Sequence, residues 1–153
     1  MDVQIKLVYK PGDKNKNDIL NKLEELDLEI FYDDNSFKAK RECYWWIAYM
    51  DDVEVGFAGM KSLRPLENGV FFCRAGVLLR YRKGGIHKKL ILARERYAKT
   101  LEFKTAITYV MSANIASLNN LIKRGWLVYS PEFAWAGRDD GPLYFYKQMD
   151  NGE

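Results

Sequence analysis

Alternating apolar and polar residues predict strands at both ends of the chain. Val3, Ile5, Leu7 and Tyr9 alternate with polar residues until Pro11-Gly12, which is the two-residue period of a half-buried strand followed by a turn. Residues 143–149 alternate in the same way before a polar tail that begins near residue 150. Two further strands are predicted between these ends, at residues 105–111 and 127–129.

The middle of the chain predicts three consecutive antiparallel strands. Residues 44–50 and 53–63 indicate a hairpin, and residues 70–80 follow it after a turn cluster. Glycine inside a strand usually marks a bulge or a close backbone approach. The second and third strands contain such glycines at Gly56, Gly59 and Gly76.

Helical spacing predicts three helices. The first ends near Leu28, with Asn15 or Asn17 as its cap, and its apolar stripe is formed by Ile19, Leu20, Leu23 and Leu26. The second ends near Glu102. Its apolar face contains Ile86, Leu90, Ile91, Tyr97, Ala98 and Leu101, and its opposite face Arg94, Glu95 and Lys99. The third is capped by Ser112 or Asn114 and ends at Gly125.

Composition places this order of elements in one globular α/β domain of residues 1–153. Hydrophobic residues are 48% and charged residues 29%, and no apolar run approaches the roughly 20 residues that span a bilayer. The N-terminus lacks the apolar region of a signal peptide, so a cytoplasmic location is expected. The two cysteines and one histidine do not have metal-site spacing, so reduced thiols and no metal are expected.

The most informative stretch is the basic turn at residues 80–89, where a predicted strand ends in glycines and a helix begins. Glycines allow close backbone approach, and the first N–H groups of a helix lack helical partners, so such a turn suits a phosphate group. The basic side chains around it are Arg82, Lys83, Lys88 and Lys89. On this turn alone, a phosphate site and an ordinary strand-to-helix turn with a solvated rim both remain open.

Two separated motifs and the order of the elements resemble the GNAT N-acetyltransferase superfamily. The first motif, R/Q-x-x-G-x-G/A, corresponds to residues 82–87. The second corresponds to residues 114–126, which run from Asn114 to Lys123-Arg124-Gly125-Trp126. The resemblance implies a mixed, mostly antiparallel sheet of six to seven strands. It also implies helices on both faces and a splayed central strand pair, at which Gly76 would supply a bulge.

The resemblance also implies where acetyl-CoA, the co-substrate, would bind. Backbone groups of the strand end would pair with the pantetheine amides, and the turn would hold the pyrophosphate. The implied contacts are Val77, Leu78, Leu79, Arg82, Lys83, Gly84, Gly85, Ile86, His87, Lys88, Asn114 and Ser117, with Asn120 as an alternative to Ser117. His87 replaces the family's Gly or Ala; we expect its side chain to point outward, although an imidazole near phosphates can be partly protonated.

Catalytic residues are harder to assign. The position of the family's frequent acidic tyrosine is Leu121, and the predicted third strand contains none of the usual carboxylates. Candidate hydroxyls for the leaving thiolate are Tyr144, Tyr146, Ser112 and Tyr109, unless the thiolate leaves without an acid. Candidate carboxylates are Glu54, Glu67, Asp139 and Asp140, unless the amine arrives neutral or a base acts through water.

Aromatic residues suggest where an acceptor would bind. Aromatics are 14% of the chain, and those in the predicted acceptor segments include Phe31, Tyr32, Trp45, Phe133 and Trp135. On residues 30–37 they act either as a lid or as plugs beneath a loop, with a short helix expected at residues 39–42. They would form an apolar groove or stack on bases or a peptide.

The sequence therefore predicts an N-acetyltransferase that brings acetyl-CoA and an amine together for direct attack. Modification of a protein or nucleic acid remains an alternative, as does a non-catalytic domain that binds CoA or partners. The net charge of +3 is too small to argue for nucleic acid by itself. A monomer and a homodimer are both compatible with the sequence.

Overall fold

The structure is a computed structural model that describes residues 2–32, 37–65, 67–137 and 140–149. Its elements are β1 (Val3–Tyr9), α1 (Asn17–Ile30), β2 (Cys43–Met50), β3 (Val53–Ser62), β4 (Gly69–Val77), a 3₁₀ helix (Leu79–Gly84), α2 (Ile86–Thr100), β5 (Thr105–Met111), α3 (Ile115–Lys123), β6 (Leu127–Tyr129) and β7 (Pro142–Gln148). The seven strands form one sheet in the order β1-β2-β3-β4-β5-β7-β6, mostly antiparallel, with β4 and β5 parallel. The predicted fold class is confirmed.

Three local predictions were wrong. Residues 39–42 contain no helix. The third strand of the meander ends at Val77, and a 3₁₀ helix separates it from α2. Lys16, rather than an asparagine, occupies the N-cap of α1, since Asn17 already lies in the helix and its side-chain oxygen accepts from Arg41.

The chain divides into two compact units, residues 1–62 with 72–94 and residues 63–71 with 95–153. The first contains β1, α1, β2, β3, most of β4 and the first part of α2. The second contains the start of β4, the end of α2, β5, α3, β6 and β7. The expectation of a single domain stays a prediction.

The core of the first unit forms between α1 and the hairpin of β2 and β3. The apolar stripe of α1 is buried as predicted, and its cluster also contains Trp45, Ile47 and Phe57. A register shift places a bulge near Gly56, where Ala48 pairs with Gly56 and Tyr49 with Glu54. At Gly59, a Cβ atom would lie 2.8 Å from both the Trp45 ring and the Cys73 sulfur. The predicted bulge and close approach in β3 are therefore confirmed.

An ion pair attaches the last turn of α1 to β4. The Asp27 carboxylate is 1% exposed and accepts from Arg74 Nε at 2.7 Å and Nη2 at 3.2 Å. The Arg74 guanidinium also lies 4.1 Å from the Phe31 ring centroid. Phe31 therefore packs beneath a charged pair at the end of the helix, which supports the plug interpretation of this aromatic.

Two charged residues of α2 contradict the predicted polar face, since Arg94 is 5% and Glu95 4% exposed. Arg94 Nη1 donates to the Gly59 carbonyl at 3.2 Å, and its guanidinium lies 4.6 Å from the Phe72 ring centroid. In the second unit, the Glu95 carboxylate accepts from Trp126 Nε1 and Lys147 Nζ, both at 2.9 Å. Each buried charge thus has partners distant in sequence, whereas Lys99 is exposed as predicted.

Candidate functional site

The basic turn is an open, cationic segment of the first unit. Residues 79–84 form a 3₁₀ helix, Gly85 takes a positive φ of 76°, and α2 begins at Ile86. The Lys89 N–H donates to the Gly85 carbonyl, so Gly85 begins the α2 hydrogen-bond pattern. The first-turn N–H groups at this end lie at the positive pole of the helix dipole. Exposed cationic side chains around the turn are Arg80, Arg82, Lys83, Lys88 and Lys89.

The two glycines of the turn are not explained by packing. A Cβ atom added at Gly84 or at Gly85 would meet nothing within 4 Å. The positive φ explains why residue 85 is a glycine, because residues with a side chain disfavour that conformation. Gly84 has neither a close neighbour nor a positive φ. Free space beside a helix N-terminus is what a bound anion requires.

At the end of β4 the backbone changes from a strand to a 3₁₀ helix. The Leu78 N–H donates to the Val55 carbonyl of β3 at 2.9 Å, so the Val77 carbonyl on the other side of that peptide points away from β3, whereas Leu79 already lies in the 3₁₀ helix. The Val77 carbonyl accepts from Arg82 Nε at 2.9 Å. Arg82 therefore folds back over the strand end, although it stays exposed. Leu79 is 75% exposed and Val77 fully buried.

Within the described residues, the ladder between β4 and β5 is short. It pairs Gly69 with Thr105, Val70 with Ala106 and Phe71 with Ile107. Both strands continue beyond these pairs, to Val77 and Met111. The predicted splaying of this strand pair stays a prediction.

His87 lies in the first turn of α2. Its side chain is half-buried, and burial together with the charges of Arg94 and Arg82 lowers its pKa from 6.5 to about 4. The imidazole is therefore neutral near pH 7, and the expected outward orientation of its side chain stays a prediction. Burial is the main cause of the lowered pKa, and the buried guanidinium of Arg94 on the same helix adds to it.

This histidine makes stability depend on pH. The unfolded chain protonates His87 near pH 6.5 and the folded chain only near pH 4, so stability is lost as the pH falls through this window. We expect a loss of about 1 to 3 kcal/mol that is absent from the His87→Gln variant. The free energies of unfolding of the wild type and of His87→Gln are measured from pH 7.5 to 4. Other titrating groups contribute equally to both proteins, so the difference between the two curves reports His87. Parallel curves would contradict the buried neutral imidazole.

The second motif lies in the second unit and is explained in part by helix capping. Asn114 is the N-cap of α3, and its side-chain oxygen accepts from the Ser117 N–H at 3.2 Å. Gly125 follows the helix with a φ of 86°. The predicted cap and helix end are confirmed, whereas cofactor contacts of Asn114, Ser117 and Asn120 stay predictions. Leu121 is 5% exposed, so this position supplies core packing and no hydroxyl.

The candidate hydroxyls have different surroundings. Tyr144 is 7% exposed and its hydroxyl accepts from the Ala136 N–H at 3.2 Å. Tyr146 is half-buried, with its ring 5.7 Å from that of Tyr129. Ser112 is exposed, and Tyr109 is 37% exposed. These contacts do not identify any of the four hydroxyls as the proton donor to the leaving thiolate.

The candidate carboxylates are dispersed. Glu54 is half-buried near the β2–β3 turn, opposite Tyr49. Glu67 and Asp140 are exposed, and Asp139 lies outside the described residues. The general base stays unassigned.

The predicted acceptor aromatics fall into four environments. Tyr32 is 85% exposed, and Phe31 is half-buried against Arg74. Trp45 is 1% exposed, and its Nε1 donates to the Lys40 carbonyl at 2.9 Å. Trp45 is therefore a core residue, and we leave it out of the proposed acceptor site. Trp135 belongs to an aromatic cluster of the second unit that the sequence did not reveal.

Cys43 and Cys73 are both free cysteines in this structure. Cys43 is buried, and its hydrogen bond with Cys73, together with burial, raises the pKa of the Cys43 thiol. Over the described residues, no group of three or more His, Cys, Asp and Glu side chains is arranged to hold a metal ion. Nor does that part of the chain contain a helix long and apolar enough to cross a membrane.

Comparison with known families decides what this arrangement belongs to. The model of the Acetyltransferase (GNAT) family matches residues 15–126. The chain belongs to the GNAT acetyltransferase family. The match includes the basic turn and the whole second motif, so the resemblance seen in the sequence is confirmed.

Solved structures agree with this GNAT fold at low sequence identity. The aminoglycoside 6'-N-acetyltransferase from Enterococcus faecium has a TM-score of 0.75 and 15% identity, over 98% of this chain and 99% of that one. The ribosomal-protein-S18-alanine N-acetyltransferase from Escherichia coli has a TM-score of 0.73 and 8% identity, over 99% and 97%. The PaiA N-acetyltransferase from Thermoplasma acidophilum, in complex with coenzyme A, has a TM-score of 0.72 and 16% identity, over 97% and 99%. A comparison with curated proteins finds no match.

Proposed function

We propose that this GNAT protein is an N-acetyltransferase that transfers the acetyl group of acetyl-CoA to an amine. The observation that carries the proposal is the turn from Leu79 to Gly85, with two glycines whose side-chain space is empty and a cationic rim. Bound coenzyme A in the similar Thermoplasma acetyltransferase supports a CoA ligand. A cytoplasmic location stays a prediction.

The turn would hold the pyrophosphate through the amides of residues 82–88, at the N-terminus of α2. A helix N-terminus stabilises an adjacent anion by about 0.3 to 1 kcal/mol, and by more in partly buried geometry. Backbone groups of Val77 and Leu79 would pair with the pantetheine arm as an edge strand pairs with an extended peptide. For the Val77 carbonyl to pair with the pantetheine arm, Arg82 Nε would have to release this oxygen or share it with the ligand.

The transfer itself would be a direct attack. The amine nitrogen forms a bond to the thioester carbonyl carbon, the carbon–sulfur bond breaks, and the thiolate leaves with a proton that the amine gives up. The protein would contribute positioning and a backbone N–H for the carbonyl oxygen that becomes negative. We leave the proton donor and acceptor unassigned, with Tyr144, Tyr146, Ser112 and Glu54 as candidates.

Two charge reversals on one helix test the role of the turn. Lys88 and Lys99 are both exposed, in the first and last turns of α2. We expect Lys88→Glu to raise the KM for acetyl-CoA about tenfold, because it places a negative charge beside a pyrophosphate. Lys99→Glu makes the same change in net charge and should leave KM within about twofold, because exposed charges farther than a Debye length are screened. Equal effects of the two variants would contradict a pyrophosphate at the turn.

Product analysis distinguishes the competing functions. The protein is incubated with acetyl-CoA and either a panel of amines or a cell lysate, and acetylated products are identified by mass spectrometry. Acetylated small amines support the proposal, whereas products found only on protein or nucleic acid identify a macromolecular acceptor. Binding of acetyl-CoA without any product would indicate a non-catalytic CoA-binding protein.

A further inference from the structure

The cationic side chains of the basic turn are not neutralised by carboxylates. Between Glu67 and Glu95 the sequence contains no aspartate or glutamate. In the part of the chain that the structure describes, no ion pair includes an exposed cation of this turn. These cations are Arg80, Arg82, Lys83, Lys88 and Lys89. The turn therefore carries positive charge that the protein itself leaves unmatched.

Exposed lysines elsewhere in the first unit behave differently. Lys16, Lys22 and Lys61 each have a carboxylate oxygen within 3.3 Å of Nζ. Exposure alone thus does not explain why the cations of the turn lack partners. An accumulation of like charges at one place is what an anionic ligand of several charges requires.

Four of the five cations are available to such a ligand. Arg82 Nε donates to the Val77 carbonyl at 2.9 Å, so this guanidinium is already engaged at the strand end. Lys88 and Lys89 lie in the first turn of α2, beside the proposed pyrophosphate site, and two cations match the single charge on each of its phosphates. Arg80 and Lys83 lie before it, in the 3₁₀ helix Leu79–Gly84, and need a separate explanation.

The 3₁₀ helix places Arg80 and Lys83 side by side. Side chains three residues apart eclipse one another in this helix, whose axis rises by about 6 Å over that interval. The two exposed cations therefore lie one above the other on the same face. Neighbouring like charges on a helix are destabilising, and an anion between them removes this cost. The Arg80 guanidinium also lies 5.5 Å from the Tyr81 ring centroid, a contact that restricts it before any ligand binds.

A phosphate monoester suits this pair. It carries about 1.5 to 2 negative charges near pH 7 and offers three acceptor oxygens. Arginine binds phosphate through two parallel N–H groups, and lysine adds a compact charge. A phosphodiester of a nucleic-acid backbone has a single charge, so it matches two eclipsed cations less well.

We infer that Arg80 and Lys83 bind the 3′-phosphate of coenzyme A and make the protein selective for 3′-phosphorylated CoA thioesters. This inference rests on the proposed function. Coenzyme A carries its pyrophosphate and its 3′-phosphate on the same ribose, so the two sites must be neighbours. Lys83 precedes Gly85 by two residues, and α2 begins at Ile86, which meets this requirement. Thioesters of pantetheine without the 3′-phosphate would be poor donors.

Removal of the 3′-phosphate from the ligand tests the inference without any transfer. Isothermal titration calorimetry gives the Kd of CoA and of 3′-dephospho-CoA for the full chain at one ionic strength. We expect the Kd of 3′-dephospho-CoA to be at least about tenfold higher, because charge-assisted hydrogen bonds to the phosphate are lost. Equal values overturn the inference and leave the proposed function intact. If neither ligand binds, the proposed function fails and the inference fails with it.

Four glutamine variants assign the effect to the pair. Arg80→Gln and Lys83→Gln should each raise the Kd of CoA about fivefold to tenfold and leave that of 3′-dephospho-CoA within about twofold. Lys88→Gln should weaken both ligands by the same factor, because both contain the pyrophosphate. Lys99→Gln, at an exposed position in the last turn of α2, is the matched control and should change neither Kd beyond about twofold.

Two outcomes with these variants would overturn the inference. Equal weakening of both ligands by Arg80→Gln and Lys83→Gln would mean that the pair acts only through the general positive field of the turn. Loss of binding to a single-stranded RNA oligonucleotide in these two variants, with an unchanged Kd for CoA, would assign the pair to a nucleic-acid interface. Both side chains are exposed, so both variants should fold, and if one does not, the other decides.

Discussion

Replacing Glu95 by alanine is expected to lower the free energy of unfolding by about 3 to 5 kcal/mol. The carboxylate is 4% exposed and accepts from Trp126 Nε1 and Lys147 Nζ, both at 2.9 Å. Without this carboxylate, Trp126 Nε1 loses this acceptor, and Trp126 is only 2% exposed. The Lys147 ammonium, whose side chain is 21% exposed, loses its counter-charge. Breaking a buried pair on one side costs more than the pair contributes, because the remaining charge stays desolvated.

Chemical denaturation measures this effect, with two variants for comparison. Glu95→Gln keeps an acceptor for Trp126 and nearly the same volume, so we expect it to lose less than Glu95→Ala. Arg96→Ala changes the next residue, which is exposed, and should stay within about 0.5 kcal/mol of the wild type. Equal stability of Glu95→Ala and Arg96→Ala would show that Glu95 does not hold the end of α2 in this way.

A second large effect is expected at Gly59, where alanine should destabilise the protein by about 3 kcal/mol, at the upper end for overpacking. The added Cβ would lie 2.8 Å from a Trp45 ring carbon and from the Cys73 sulfur. The tryptophan ring has no room to move away, because it is 1% exposed and its Nε1 donates to the Lys40 carbonyl at 2.9 Å. The rings of Phe37 at 5.6 Å and Phe57 at 6.2 Å lie against it.

Gly84 provides the control for Gly59. It also gains one methyl group as alanine, but its Cβ would meet nothing within 4 Å. We expect Gly84→Ala to leave stability within about 0.5 kcal/mol of the wild type, as at other surface sites. Denaturation midpoints of the two variants give the comparison, and a Gly59→Ala protein as stable as Gly84→Ala would contradict the packing described at β3.

Local patterns determined most of the fold. Strands β5 and β6 have the predicted bounds, the stripe of α1 is buried, and Asn114 caps α3. Each of these rests on residues within about one turn or one strand, and such signals are visible in the sequence. The two motifs gave the family because glycines, basic residues and asparagine recur there at fixed spacing.

The errors at Glu95 and Trp45 came from partners that are far apart in the chain. Glu95 was assigned to a polar face because its acceptor role depends on Trp126 and Lys147, which lie 31 and 52 residues away. Trp45 was assigned to an acceptor groove because nothing local shows that α1 covers it. The aromatic cluster around Trp135 was missed for the same reason, since its rings come from three strands and a connecting segment. The local sequence indicated only, through the alternation within β5 and within β7, that the aromatic residues of each strand lie on one face of the sheet.

The central claim is that the turn before α2 binds acetyl-CoA, and a thermal-shift titration tests it most directly. At a concentration of about 100 times the dissociation constant, a ligand that binds only the folded state adds roughly 2.7 kcal/mol to stability. We predict that acetyl-CoA and CoA each raise the midpoint of unfolding in a saturable way, and that Lys88→Glu requires a higher concentration than Lys99→Glu. A folded wild-type protein whose midpoint responds to neither compound would contradict the claim.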